Sequence, residues 1–401
     1  MISFSLIFLN IFLSLTFVSF LNFMINLSIW IRCIREGNAE VMIEALQVVL
    51  VREPFFAFFQ ISNYGSKGHF LCCFSCHFNY NKEKRFLMKV LVTKEVNSSG
   101  IDFMKKHGIE VVQASNYDVD TLKKEVVDCD GLLVRAEPIP SEVLACGKKL
   151  KVIGRHGVGY NNIDIAYATT HGIKVTNAPL SNYHSVAEHT LGFILACSQK
   201  ILVQDAAVRR GEWDSATMEN KMIELSGKVL TLIGFGRIGR EVARMAQAGF
   251  NMKIVAYSPS LRQENAPQGV TVVSSVEEAM RCGDFVSLHL PANKSTDKMF
   301  DYPLLSLMKK SAYLINCARG EIINFDDFIR IMKEKKISGA AFDLLDEAPP
   351  RMDNPLLQLD NLIVSPHCAA HSIEAFRNMS LHAAQGIVDV LEGREPEWPV
   401  N

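Results

Sequence analysis

The stretch KVLTLIGFGRIGR, residues 228–240, decides the fold of this chain. Its first half is a run of apolar residues with the β-branched content of a buried strand, and the segment after Gly239 reads as a helix over 240–248. Between them lies GFGRIG, a GxGxxG in the setting that gives the pattern meaning, strand before and helix after. Gly234 permits a tight turn, Gly236 lets backbone amides approach a pyrophosphate, and Gly239 lets the helix sit close to the strand. Arg237 and Ile238 complete the turn, and the N-terminus of the helix offers N–H groups and a positive dipole end to phosphates. The next strand ends in KIVAYS, which puts Ser258 where an NAD-specific site usually carries Asp or Glu on the ribose hydroxyls. Without that acid a 2′-phosphate is not repelled, and Arg262 is available to pair with one, so either NAD or NADP is expected.

On both sides of this turn, apolar runs alternate with amphipathic stretches. KVLVT, IEVVQA, GLLVRA, KVIGRHG and IKVTNAP precede it; KIVAYS, DFVSLHLP, AYLINCAR, GAAFD and NLIVSPH come after it. Short strands joined by helices imply parallel sheets with right-handed crossovers. The expected fold is α/β with two doubly wound parallel-sheet domains: a flavodoxin-like substrate domain over 88–184 and 372–401, and a Rossmann dinucleotide-binding domain over 185–371, with a cleft between them. One long helix is expected over 186–209, and the closing helix, 373–392, is expected to return to the first domain.

Composition supports that boundary. Of 24 Phe residues 14 lie before position 88, whereas 21 of 24 Gly residues lie after it, so the first 87 residues are a separate kind of sequence. No charged residue occurs before Arg32, and that apolar run is long enough to cross a bilayer core. Two readings stand: an anchor that leaves the remainder cytoplasmic, or an extension in front of a natural start at Met88, which is the favoured one. Cys73 and Cys76 form a CxxC flanked by Cys72, His69 and His77, but no second pair occurs at finger spacing, and no metal is expected. The ten cysteines lack a disulfide framework, in keeping with reduced thiols in the cytoplasm. A net charge of -1 gives no long-range attraction for nucleic acid, so a small-molecule partner is expected.

Six collinear segments carry a resemblance: GRHGVGYNNID (154–164), NAPLSNYHSVAEHTLG (177–192), LIGFGRIGR (232–240), LHLPANKST (288–296), MKKSAYLINCARGEIIN (308–324) and DNPLLQLDNLIVSPHCAA (353–370). Together they resemble the D-2-hydroxyacid dehydrogenases, the group containing D-3-phosphoglycerate dehydrogenases and glyoxylate/hydroxypyruvate reductases. The resemblance implies hydride transfer between NAD(P) and a small 2-oxo or 2-hydroxy acid, in a homodimer. It makes Arg319 the group that grips the substrate carboxylate and carbonyl, and His367 the acid/base. Cys317, Ala318, Arg319, Asp343 and His367 are implied to line the nicotinamide end of the cofactor. Arg135, Val158 and Gly159 match the edge of the substrate cleft. The family generally has Glu immediately before the first Pro after the aspartate; here Ala348 holds that position and the acid is shifted to Glu347, the expected partner of His367. A second reading is a nucleotide-sensing binding protein with weakened catalysis, similar to the C-terminal-binding corepressors.

Overall fold

The computed structural model describes residues 58–63, 70–75, 88–213 and 221–401. Two compact units divide the chain, Met1–Arg85 and Phe86–Asn401. In the first, β1 (Phe58–Asn63) and β2 (Phe70–Ser75) pair antiparallel, with Phe58 opposite Ser75. The apolar run over 1–31, and His69, Cys76 and His77 of the candidate metal cluster, lie outside the described residues. No single helix among the described residues is long and apolar enough to cross a membrane.

The second unit holds two parallel sheets, as expected. The first contains β3 (Met88–Val92), β4 (Ile109–Gln113), β5 (Gly131–Val134), β6 (Val152–Arg155) and β7 (Lys174–Thr176), in the spatial order β4-β3-β5-β6-β7. The second contains β8 (Val229–Ile233), β9 (Lys253–Tyr257), β10 (Val270–Val272), β11 (Phe285–Leu288), β12 (Tyr313–Asn316), β13 (Gly339–Phe342) and β14 (Leu362–Val364), in the order β10-β9-β8-β11-β12-β13-β14. Every pairing in both sheets is parallel. Each order reverses direction once, between β3 and β5 and between β8 and β11, and the crevice at the carboxyl ends of such strands is where doubly wound sheets take ligands. β10 is absent from the sequence reading: three residues, VTV, are too short to show a period.

Strands covered on both faces explain the continuous apolar runs. All four residues of β11, β12 and β13 are buried. In β11, Phe285 joins Leu230, Ile254 and Ile315 on one face, whereas Val286 and Leu288 join Leu314, Phe328 and Phe342 on the other. The first sheet divides in the same way, with Leu91, Leu132 and Ile153 on one face and Val90, Leu133 and Val152 on the other.

Two helices position the lobes. The expected long helix is two: α1 (Tyr183–Ser198) and α2 (Ile201–Arg209), bent by 57° where Lys200 takes a left-handed conformation, φ 53°. A single residue of left-handed backbone between two helical stretches leaves no break in the sequence pattern by which to locate it. The last helix, Ile373–Leu391, lays Ala383, Ala384, Ile387 and Val388 on the Val90, Leu133 and Val152 face of the first sheet, so the chain crosses back after β14.

Ile387 is fully buried in that seam. Ile387→Ala leaves a cavity and is expected to lower unfolding stability by roughly 2–5 kcal/mol, measured by urea titration; a change below about 0.5 kcal/mol would show that the last helix does not hold the first lobe together.

Candidate active site

The glycine turn behaves as its residue types require. Gly234 has φ 96°, and a side chain there would collide with the His289 carbonyl; a side chain at Gly239 would collide with the Gly234 carbonyl. Those two contacts set the helix Arg237–Phe250 tightly against the β8 turn. Around Gly236 there is open space, with nothing within 4 Å of an added Cβ. Gly236 is also the N-cap of this helix and provides no side-chain cap. An open backbone cradle facing uncapped N–H groups fits a pyrophosphate. Arg237 is exposed and Ile238 half-buried at the first helical turn.

Ser258 comes directly after β9 and lines a pocket of about 350 Å³ with Pro259, Arg262 and Gln263. Arg262 Nη1 donates to the Pro259 and Leu261 carbonyls, both at 2.9 Å, which fixes the guanidinium at this pocket. No acid among the described residues lines it.

Arg319 lies just beyond β12, in a loop tied by Asn316: its Nδ2 donates to the Arg319 carbonyl at 2.8 Å, and its Oδ1 accepts from Ala318 N at 2.9 Å. Asn316 is fully buried and is a positioning residue the sequence reading missed, although its place in INCARG was the available signal. The guanidinium reaches across to the first lobe. A side chain at Gly159 would strike Arg319 Nη2. The Gly159 loop is held by Asn177, whose Nδ2 donates to the Val158 carbonyl at 2.8 Å. Arg319 and the Val158–Gly159 pair, read separately from sequence, are thus brought together, and Cys317 and Ala318 are buried behind the arginine.

His367 lies just beyond β14 with φ 52°, a conformation rare outside glycine. Asp343, at the end of β13, holds it there. The Asp343 carboxylate is 1% exposed and accepts from Cys368 N at 2.8 Å, from Ala369 N at 3.0 Å and from the Ser365 hydroxyl. The Asp343 carbonyl accepts from His367 N at 2.8 Å. The aspartate expected to touch cofactor therefore has its carboxylate turned into the loop that carries His367. His189 Nε2 and the Cys368 thiol come within 4.8 Å of the same carboxylate, a metal-like grouping. Hydrogen bonds already engage it there, His189 bonding Ser365 Oγ at 3.1 Å, so the grouping is read as loop scaffolding.

Glu347 is not brought to His367. It is exposed, and its backbone N–H donates to Asp346 Oδ1 at 3.1 Å. The carboxylate that acts on the imidazole is Asp343.

The cleft is rich in positive charge. Burial, and then the charge of Arg319, push the Arg155 guanidinium down to about 10. Burial pushes His156 down to about 3, with Arg135 and Arg155 adding to the effect. His367 is also lowered, mainly by burial; Asp343 opposes this, while Arg319, His371 and Arg155 add to it. Arg135 stacks over the Phe376 ring at 5.2 Å and donates from Nη1 to the Glu95 carbonyl at 3.1 Å. Cations gathered this closely are eased by a bound anion.

Residues 191–369 match the family described as D-isomer specific 2-hydroxyacid dehydrogenase, NAD binding domain. A D-3-phosphoglycerate dehydrogenase of Methanocaldococcus jannaschii is 40% identical over 317 residues, covering 79% of this chain and 60% of that protein. The counterpart from Archaeoglobus fulgidus is 37% identical, covering 78% and 59%. The chain thus spans about three-fifths of the length of these curated relatives. Among solved structures, a protein of Thermus thermophilus is 31% identical with a TM-score of 0.73, covering 78% of this chain and all of that one. An NAD+-bound 3-phosphoglycerate dehydrogenase of Entamoeba histolytica is 28% identical with a TM-score of 0.66, covering 78% and 98%.

Because burial and neighbouring cations disfavour the imidazolium, His367 is expected to titrate below the ordinary histidine value of 6.5. Arg319→Gln removes one of those cations and should move the midpoint up; an NMR titration with no upward shift would separate the two groups in space.

Proposed function

Because the chain belongs to the D-isomer specific 2-hydroxyacid dehydrogenase family, we propose that it transfers hydride between NAD(P) and a small 2-oxo or 2-hydroxy acid. The observation that carries this reading is the meeting of Arg319 with the Gly159 loop across the cleft, within electrostatic reach of His367. A bound nicotinamide supplies the hydride in reduction and accepts it in oxidation. The chain supplies the rest. The Arg319 fork holds one oxygen of the substrate carboxylate and the C2 oxygen, orienting C2 and drawing charge toward the oxygen. Backbone N–H groups of the Val158–Gly159 loop take the remaining carboxylate oxygen. In reduction His367 donates its proton to the C2 oxygen; in oxidation it removes the hydroxyl proton. Burial that favours neutral imidazole suits the oxidative direction, and the Asp343 charge opposes that bias in part.

The glycine turn and the uncapped helix behind it favour Gly234, Gly236 and Gly239 as the pyrophosphate site. Ser258 and Arg262, with no acid beside them, support acceptance of NADP as well as NAD. Relatives named as dehydrogenases favour catalysis over the nucleotide-sensing reading. The exposed Ile201, Leu202 and Val208 on α2 support a homodimer through this helix, and the free thiols among the described cysteines support a reducing cytoplasm.

The test is nucleotide oxidation with a panel of 2-oxo acids. Turnover is expected with at least one of them, and Arg319→Ala should lower kcat/KM by about 10²- to 10³-fold; binding of nucleotide without turnover on any member would overturn the reading. With both nucleotides compared, Arg262→Ala should reduce kcat/KM for NADPH more than for NADH, and equal losses would remove Arg262 from cofactor choice.

A further inference from the structure

The crevice between the carboxyl ends of β3 and β5 is the switch point of the first sheet, and it holds a carboxylate with no part in hydride or proton transfer. Thr93 comes directly after β3, and Arg135 to Glu137 come directly after β5. Glu137 is 6% exposed. Its Oε1 accepts from Arg135 N at 2.8 Å and from the Thr93 hydroxyl. Its Oε2 is buried with no partner among the described residues. Arg155, at the end of the neighbouring β6, feels the Glu137 charge and leaves its own Nε buried and unpartnered. His156 Nε2 is in the same condition. Buried polar atoms left open at the place where the sheet takes ligands call for a ligand that satisfies them.

Resting on the 2-hydroxyacid reading, we propose that Glu137 selects the tail of the substrate, and that this tail is an uncharged group with a hydrogen-bond donor, such as a C3 hydroxyl, rather than a phosphate. A hydroxyl on C3 donates to Glu137 Oε2 and accepts from the Arg155 side, answering two of the three unpartnered atoms. A phosphate is mostly the dianion at neutral pH, with little proton to give, and brings about 1.5 to 2 negative charges against a carboxylate in a region sheltered from water, where like-charge repulsion is strong. The Glu137 charge also partly offsets the half-buried Arg155 guanidinium. Arg135, the cation that follows β5, is turned toward Phe376 and the Glu95 carbonyl. A buried acceptor discriminates between substrates by what it is left without: a site that offers one rejects an analogue lacking the donor.

The experiment compares kcat/KM for 3-hydroxypyruvate and 3-phosphohydroxypyruvate, each referred to glyoxylate, which has no tail, using the full-length wild type, Glu137→Gln and Glu137→Thr. Wild type should favour the hydroxyl tail by at least about tenfold, and Glu137→Gln, which keeps the shape and an acceptor for Thr93 and Arg135, should reduce that preference by about tenfold or more. A wild type that prefers the phosphorylated acid, or a preference unmoved in both variants, overturns the proposal while leaving the dehydrogenase reading intact. If the variants do not fold, the wild-type ratio decides alone. Absence of turnover on all three acids overturns the dehydrogenase reading itself, and this inference with it.

Discussion

One buried carboxylate fixes the geometry on which the site depends. Asp343 lies at the end of β13 and gathers the N–H groups of Cys368 and Ala369 and the hydroxyl of Ser365, while its carbonyl takes the N–H of His367. These bonds hold His367 in a left-handed conformation that its own backbone disfavours. Without them the loop after β14 has no reason to aim an imidazole at the cleft. The same carboxylate counters the cations around that imidazole, so position and protonation have a common source.

The cations themselves belong together only because two lobes are assembled from interleaved parts of the chain. Arg319 comes from the second sheet, Arg155 and the Gly159 loop from the first, and the last helix returns to cover the first sheet after β14 has placed His367. Glycine at 159 lets the backbone come close enough for the Arg319 fork to cover it. Crowding of like charge is unfavourable by itself and becomes favourable once an anion lies between the guanidinium groups, which is the behaviour required of a carboxylate site.

Much of this was legible in residues. GFGRIG between an apolar run and an amphipathic one fixed the second sheet and the turn, because the roles of Gly234 and Gly239 are set by local sterics. Arg319 and His367 were singled out through the segments around them. What spacing did not carry were contacts made across the fold. Asp343 was read as facing cofactor, whereas its carboxylate faces the His367 loop; Glu347 was read as the partner of His367 and lies exposed away from it. Glu137 passed unnoticed because a polar residue past a strand end has no signature until the strand beside it is known, and Asn316 was overlooked although it sits inside the INCARG segment. The break at Lys200 and the short strand β10 were missed for the complementary reason, that each is too brief to disturb a period.

The central claim is that a guanidinium from one strand end and an imidazole from another address the same substrate oxygen. A crystal structure of the protein with NAD and oxamate, a mimic of a 2-oxo acid, tests it most directly. The expected complex has the Arg319 fork on the oxamate carboxylate and its adjacent oxygen, with His367 in hydrogen-bond reach of that oxygen and the carboxylate against the Gly159 loop. Oxamate bound elsewhere, with Arg319 still donating to the Ala318 carbonyl alone, would contradict it.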